Sequence, residues 1–187
     1  MTQLLDDGAD VRALGVVVEA GRGSLPFALV GDESLVACAA WGLGDAGITA
    51  VDASVPWVGI QEAGEPFVLH DALCPLVPAP FLAACVRLAV EEEVVVVGVR
   101  EVTDTVKRLE GDRVGATLDR AGLLEVWSPI VLPASVCARL DEPDTTSFAA
   151  LVADLRSHTE VQLVTAPPEA RRVSSPADLR LLEALSR

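Results

Sequence analysis

"PAPFLAACVRLAVEEEVVVVGV", residues 78–99, sets the fold class by its patterning. The part over 78–92 is apolar nearly all round and carries Pro80 near its start. Proline is tolerated in the first helical turn, where its missing N–H would go unpaired anyway, so this part reads as a well-buried helix. The valine run at 94–99 shows no polar alternation. A strand apolar on both faces is one covered by helices on both sides, as in the parallel sheet of an α/β protein.

The same alternation extends outward. "LGVVV" (14–18) is a second buried-type strand, and Ser34 can cap a helix running to about Gly47. "ITAVDA" (48–53), "PFVLHDA" (66–72) and "VQLV" (161–164) read as further strands. "SPADLRLLEAL" (175–185) opens a helix with Ser175 as N-cap, Pro176 at the first helical position and Asp178 closing a capping box. Residues 1–12 are polar and read as a frayed start. The pattern predicts one domain over 1–187 with a three-layer α/β architecture. One segment breaks it. "REVTDTVKRLEGDRVGATLDRAGLLEVWSP" (100–129) is polar and holds five of the 14 basic residues, with a hairpin-turn composition at "EGDR". It predicts a two-stranded arm, about 103–125, that leaves the sheet and returns.

Composition narrows the function classes. A chain of 187 residues, half of them apolar, can bury a sizeable core. A formal net charge of −14 argues against coating DNA or RNA, though one small anion needs only a local basic cluster. Lys107 is the single lysine, so chemistry needing an ammonium group must use it. Cys38, Cys74, Cys85 and Cys137 form no C-x-x-C pair, which fits reduced thiols rather than a zinc site or disulfide framework. No leader pattern opens the chain and no apolar run reaches membrane-spanning length, so a cytoplasmic protein without a membrane partner is expected. His70 and His158 lack spaced partners and read as structural. Trp41, Trp57 and Trp127 read as core or interface.

The stretch "EAGRGSLPFALVGDE" (19–33) follows the first strand, where an α/β protein places a phosphate loop. Three stretches then carry a resemblance: "VLHDALCPLVP" (68–78), "VTDTVKRLEGDRVGATLDRAGL" (102–123) and "RRVSSPADLRLLEAL" (171–185). In this order, over roughly 14–185, the chain resembles the 2-C-methyl-D-erythritol 4-phosphate cytidylyltransferase family. The resemblance implies a Rossmann-like nucleotidyltransferase fold, a homodimer in which the arm crosses to the partner, and transfer of a cytidylyl group from CTP to methylerythritol phosphate in the non-mevalonate isoprenoid pathway. It further implies that Asp71 matches the family's Mg²⁺-binding aspartate. Thr105, Arg120 and Arg172 match residues that hold the substrate phosphate, with Arg172 standing for a family lysine. Ala20, Gly21 and Gly23 match the core of the nucleotide loop.

The chain also departs from that pattern. The family loop reads roughly "AAGSGxRhG" and then "PKAL"; here Arg22 lies inside the shortened loop, and Phe27 follows Pro26 where the catalytic lysine belongs. The cytosine- and ribose-binding "GGxxRxxSV" stretch has no counterpart in "ASVPWVGIQEAGEPF" (53–67), which contains no arginine and reads as too short for that loop plus its helix. Cys74 replaces the arginine of "HDAARP", and Ile130 the glutamine of "TPQ". The losses fall on the CTP side. Two readings follow: a pseudoenzyme that binds a partner protein or a phosphorylated small molecule, or a working Mg²⁺-dependent nucleotidyltransferase with a rebuilt loop, Arg22 standing in for the lost cations, that acts on methylerythritol phosphate or a related polyol or sugar phosphate. Asp71, Arg22 and the arm residues Lys107 and Arg108 each have a bland alternative as capping, loop or solvated groups.

Overall fold

The valine run does what its pattern predicts: Val95, Val96 and Val97 are all fully buried, and they alternate between two cores on opposite faces of one sheet. The computed structural model describes residues 12–102, 107–110, 113–117 and 122–185. In chain order the elements are β1 (Leu14–Val18), β2 (Leu29–Val30), β3 (Glu33–Ser34), α1 (Leu35–Asp45), β4 (Thr49–Ala50), α2 (Trp57–Ala63) and β5 (Phe67–Asp71). Then come α3 (Ala79–Glu92), β6 (Val95–Glu101), β7 (Lys107–Glu110), β8 (Arg113–Thr117), β9 (Leu124–Leu132), α4 (Ala134–Cys137), α5 (Phe148–His158), β10 (Val161–Thr165) and α6 (Pro176–Leu185).

Six strands form the central sheet in the order β10–β6–β9–β5–β1–β4. Every pairing is parallel except those of β9, which runs antiparallel to both neighbours. Val68, Val96 and Val131 point to one face, where they meet Leu43 of α1 and Leu82 and Val86 of α3. Leu69, Val97 and Ile130 point to the other, against Ile60 of α2 and Leu151 and Leu155 of α5. This is the three-layer, Rossmann-like α/β architecture.

Local chemistry explains the element ends. The Ser34 hydroxyl accepts from Ala37 N at 3.3 Å and starts α1. At the start of α6 the cap half of the box forms, Asp178 N donating to Ser175 Oγ at 3.3 Å, while the Asp178 carboxylate accepts from Ser174 N at 3.0 Å and Ser175 Oγ at 2.9 Å. Elsewhere the structure corrects the sequence reading. The strand expected over 48–53 shrinks to Thr49–Ala50. Residues 53–67, for which no helix was expected, hold α2, which ends at Gly64 in the left-handed conformation. Of the two places expected for Trp41, core or interface, its exposure removes the core. Residues 124–132 form β9, a strand of the central sheet that the sequence reading did not identify.

That omission has a physical cause. Pro129 argues against a central strand because it cannot donate to the ladder. The sheet accommodates it with a register shift between Val97 and Val99, where Gly98 packs on the Ser128–Pro129 backbone. A Cβ at Gly98 would lie 2.5 Å from Ser128 O, and backbone cannot yield as a side-chain tip can. Gly98→Ala is therefore expected to destabilise the fold by about 1–3 kcal/mol, read as a lowered urea midpoint with unchanged slope.

β7 and β8 pair with each other as a separate antiparallel ribbon, Glu110 opposite Arg113. The β6–β9 ladder leads up to it, ending with Glu101 opposite Leu124 and Val102 N donating to Leu123 O at 3.1 Å. Two expected site residues in this region, Thr105 and Arg120, lie outside the described residues.

Candidate functional site

The β1–β5 register sets Val18 beside Asp71, so the loop leaving β1 and the carboxylate ending β5 meet at the C-terminal edge of the sheet. Open α/β sheets place their ligands at this edge. Gly21 and Gly23 both have positive φ, +77° and +62°. At Gly21 the need is double, since a Cβ would also lie 2.9 Å from Thr146 O. The tight loop turns Arg22 inward.

Arg22 is then fully engaged. Its Nε donates to Asp71 Oδ1 at 3.3 Å and its Nη2 to Asp71 Oδ2 at 3.2 Å, a fork-to-fork pair. The two Nη1 hydrogens are shared among the carbonyls of Ala20, Thr145 (2.7 Å) and Thr146 (2.9 Å). The guanidinium carbon lies 5.0 Å from the centroid of the Phe148 ring at the start of α5. The Arg22 side chain is 2% exposed and that of Asp71 is 3% exposed. The turn carrying the two threonine carbonyls is fixed by Asp144, which accepts from Thr146 N at 2.9 Å and Thr146 Oγ1 at 2.7 Å. These bonds hold the Asp144 carboxyl below the ordinary carboxylate range.

Asp71 is as fully used as its partner. Oδ1 also accepts from Leu73 N at 3.0 Å, and Oδ2 from Arg172 Nε at 3.3 Å. Arg172 therefore does join the site, 71 to 172 being brought together by the segment before α6, but it points at Asp71 and keeps a side chain 29% exposed. Ala20 lies exposed beside the loop. Phe27, at the end of a short 3-10 turn over Leu25–Phe27, is 60% exposed and carries no charge to the site. Cys74 is buried, and burial followed by the nearby Asp71 carboxylate raises its thiol well above the ordinary value, so this position is neutral. Ile130 is core. The carbonyls of Thr145 and Thr146 and the ring of Phe148 are functional neighbours that the sequence reading missed. The only signal was the turn-and-cap composition of "DTTSF" (144–148), which says nothing of what it packs against.

His70 lies next to Asp71 and is fully buried. Its Nδ1 bonds Ser128 Oγ, which also accepts from Asp71 N at 3.2 Å, and its Nε2 has no partner among the described residues. Burial lowers its pKa from 6.5 to about 4, with the Asp71 charge opposing weakly. Folded, the ring is thus neutral down to about pH 4, while in the unfolded chain it takes up a proton from about pH 6.5. Stability from this group is fully present above pH 6.5 and falls by about 3 kcal/mol on descending to pH 4. His70→Gln is expected to flatten that part of the curve relative to the unmodified protein in urea unfolding measured from pH 7 to 4.

A cavity of about 370 Å³ adjoins the loop at the ends of β1 and β4, walled by valines, Trp57 and Leu69, with Glu19, Asp52 and Glu142 among its lining residues. Among the described residues no group of three or more His, Cys, Asp or Glu side chains could hold a metal ion, and no helix is long and apolar enough to cross a membrane.

A parallel-dominated sheet with one antiparallel central strand, a glycine loop after its first strand and an aspartate at the adjoining strand end place the chain among Rossmann-like α/β proteins with a candidate site at the strand ends. The chain belongs to the IspD family, 2-C-methyl-D-erythritol 4-phosphate cytidylyltransferase, whose family model matches residues 3–187. It is similar to the 2-C-methyl-D-erythritol 4-phosphate cytidylyltransferase of Deinococcus radiodurans, 33% identical over 131 residues covering 67% of this chain and 55% of that protein. It is similar also to the corresponding protein of Frankia casuarinae, 34% identical over 122 residues covering 63% of this chain and 45% of that protein. The chain thus spans about half the length of these relatives. Among solved structures, the 2-C-methyl-D-erythritol 4-phosphate cytidylyltransferase from Thermus thermophilus superposes with a TM-score of 0.66 at 21% identity, covering 93% of this chain and 98% of that one. The 4-diphosphocytidyl-2C-methyl-D-erythritol synthase from Anaerococcus prevotii gives 0.66 at 14% identity, covering 95% and 100%. At these identities the superpositions establish the fold.

Proposed function

We propose that this chain is an IspD-family protein that has given up cytidylyl transfer and serves as a binding protein built on the family's fold. The observation that carries this is the Arg22–Asp71 pair. In the family's reaction the substrate phosphate attacks the α-phosphorus of CTP and pyrophosphate leaves, so the protein's task is to position the groups and neutralise charge. Arg22 is the one cation of the glycine loop, and its donors go to Asp71 and to three carbonyls of its own chain. Phe27 and Cys74 supply none.

Magnesium does not fit the residues present. A Mg²⁺ ion in such a site uses one or two carboxylates plus phosphate oxygens. Here the one carboxylate at the strand end receives two guanidinium groups and a backbone N–H, which occupy the oxygens a metal would need. Asp71 acts as the counter-ion that lets Arg22 be buried.

The partly exposed side of Arg172, with Thr105 and Arg120, would leave room for a phosphate-bearing ligand to bind weakly, and the β7–β8 ribbon would pair with a second copy in a homodimer. A lone two-stranded ribbon is marginal in water, which favours such a partner. Light scattering at micromolar concentration is expected to give the dimer mass, and a monomer would remove that part of the reading. For the central part, calorimetric titration of CTP with Mg²⁺ is expected to show no saturable binding up to millimolar nucleotide. Micromolar binding that depends on Mg²⁺ would mean that the loop opens and that the chain is a working transferase.

A further inference from the structure

The chemistry of α1 sets it apart from the other helices. Between Glu33 and Asp45 the sequence holds no charged residue, in a chain where 22% of residues are charged. Its buried line is Leu35, Ala39 and Leu43. At about 3.6 residues per turn the opposite side carries Ala37, Trp41 and Gly44, with Ala40 at its flank. Trp41 is 59% exposed there, and a Cβ added at Gly44 would meet nothing within 4 Å. Apart from the short α4, every other described helix shows charge on its exposed side: Glu62 of α2, Glu91 of α3, Asp154 of α5 and Arg180 of α6. A helix apolar all round belongs in an interior or against a partner.

We propose that α1 is an interface between copies of this chain, the outer faces of two α1 helices packing antiparallel about a two-fold axis near Trp41. Two observations choose a second copy as the occupant. The face is its own complement. It holds one large knob, Trp41, and the small residues Ala37, Ala40 and Gly44 that leave room for the other copy's knob, as an isologous contact requires. The face also carries no charge short of Asp45 at the helix end. Copies of a chain with net charge −14 repel wherever their acidic surfaces meet, and here they meet without that cost. A cationic partner protein would be drawn to the acidic surfaces instead.

Trp41 lies next to the middle of α1, so a two-fold axis there engages the whole helix. At the head of the helix, Leu35 N donates to Ala28 O at 3.0 Å, which sets Phe27 and Leu29 beside the first turn, both more than half exposed. These side chains together expose less than the roughly 800 Å² per partner of a stable interface, so the pairing depends on concentration. It is separate from pairing through the β7–β8 ribbon. Its signature is a doubling of mass, whatever the starting mass.

The test is sedimentation equilibrium of the purified full chain from micromolar to near-millimolar concentration. The weight-average mass is expected to double across that range, whether it starts from a monomer or from a ribbon dimer. Trp41→Glu is expected to weaken the association at least about 30-fold, as loss of a buried aromatic anchor does, and so to remove the doubling. Gly44→Arg puts a long charged side chain into the contact while meeting no neighbour within its own chain, and is expected to do the same. Both positions are open in the single chain, so the circular dichroism and melting temperature of the variants at micromolar concentration should match the parent. A parent mass that does not rise with concentration overturns the proposal, and so does a rise that persists in either folded variant. A doubling from the monomer mass leaves the α1 contact standing and removes only the ribbon dimer.

Discussion

Asp71→Ala is expected to cost about 3–5 kcal/mol of stability, the range for removing one partner of a buried ion pair. For a chain of this size that lowers the melting temperature by on the order of 10 °C. The reason is what it leaves behind. The Arg22 guanidinium, 2% exposed at the side chain, would keep its three carbonyl acceptors and lose both charged ones, and Leu73 N would lose its acceptor too. Arg172, with one bond to the site and part of its side chain in water, contributes far less, so Arg172→Ala should fall within about 1 kcal/mol of the parent. The sign separates the two roles open to Asp71. A carboxylate kept for an absent metal is under no obligation to neighbours, and removing it leaves stability level or raises it. A counter-ion cannot be removed without penalty. Thermal unfolding of the three proteins side by side decides between them.

The second large effect is kinetic. Restoring the missing lysine by Phe27→Lys is expected not to restore cytidylyl transfer, with pyrophosphate release staying near background. Position 27 is 60% exposed, so the substitution should shift stability by no more than about 0.5 kcal/mol. One donor to the developing charge is worth roughly 10²–10³ in rate, but only where the other donors are in place. Arg22 would remain locked under Thr145, Thr146 and Phe148, and Cys74 would remain neutral. Recovery to within ten-fold of an active family member by this single change would show that Arg22 is free to move.

The parts of this fold that were legible in the sequence are those set by local chemistry. The valine run of β6, the Ser34 cap and the Ser175 cap each depend on neighbours a few residues away, and each formed as expected. The motif order carried the family. β9 was hidden because Pro129 contradicts a central strand unless a register shift at Gly98 accommodates it, and nothing near residue 129 announces residue 98. α2 was hidden by an assumption about loop length. The site divides the same way. Asp71 and Arg22 were visible as candidate groups, but their mutual pairing, across 49 residues, was not. The closure of the loop by carbonyls more than 120 residues away left no signal beyond the turn composition at 144–148, because any residue carries a carbonyl. What reads as a spare cation in one dimension is a paired one in three.

The measurement that bears most directly on the account is pyrophosphate release by the purified, unmodified protein with CTP, methylerythritol phosphate and Mg²⁺, alongside Asp71→Asn assayed below its melting temperature. The account predicts background release from both proteins. Robust release by the unmodified protein that is abolished in Asp71→Asn would contradict it, since Asp71 would then be serving a metal and Arg22 would be leaving it during turnover.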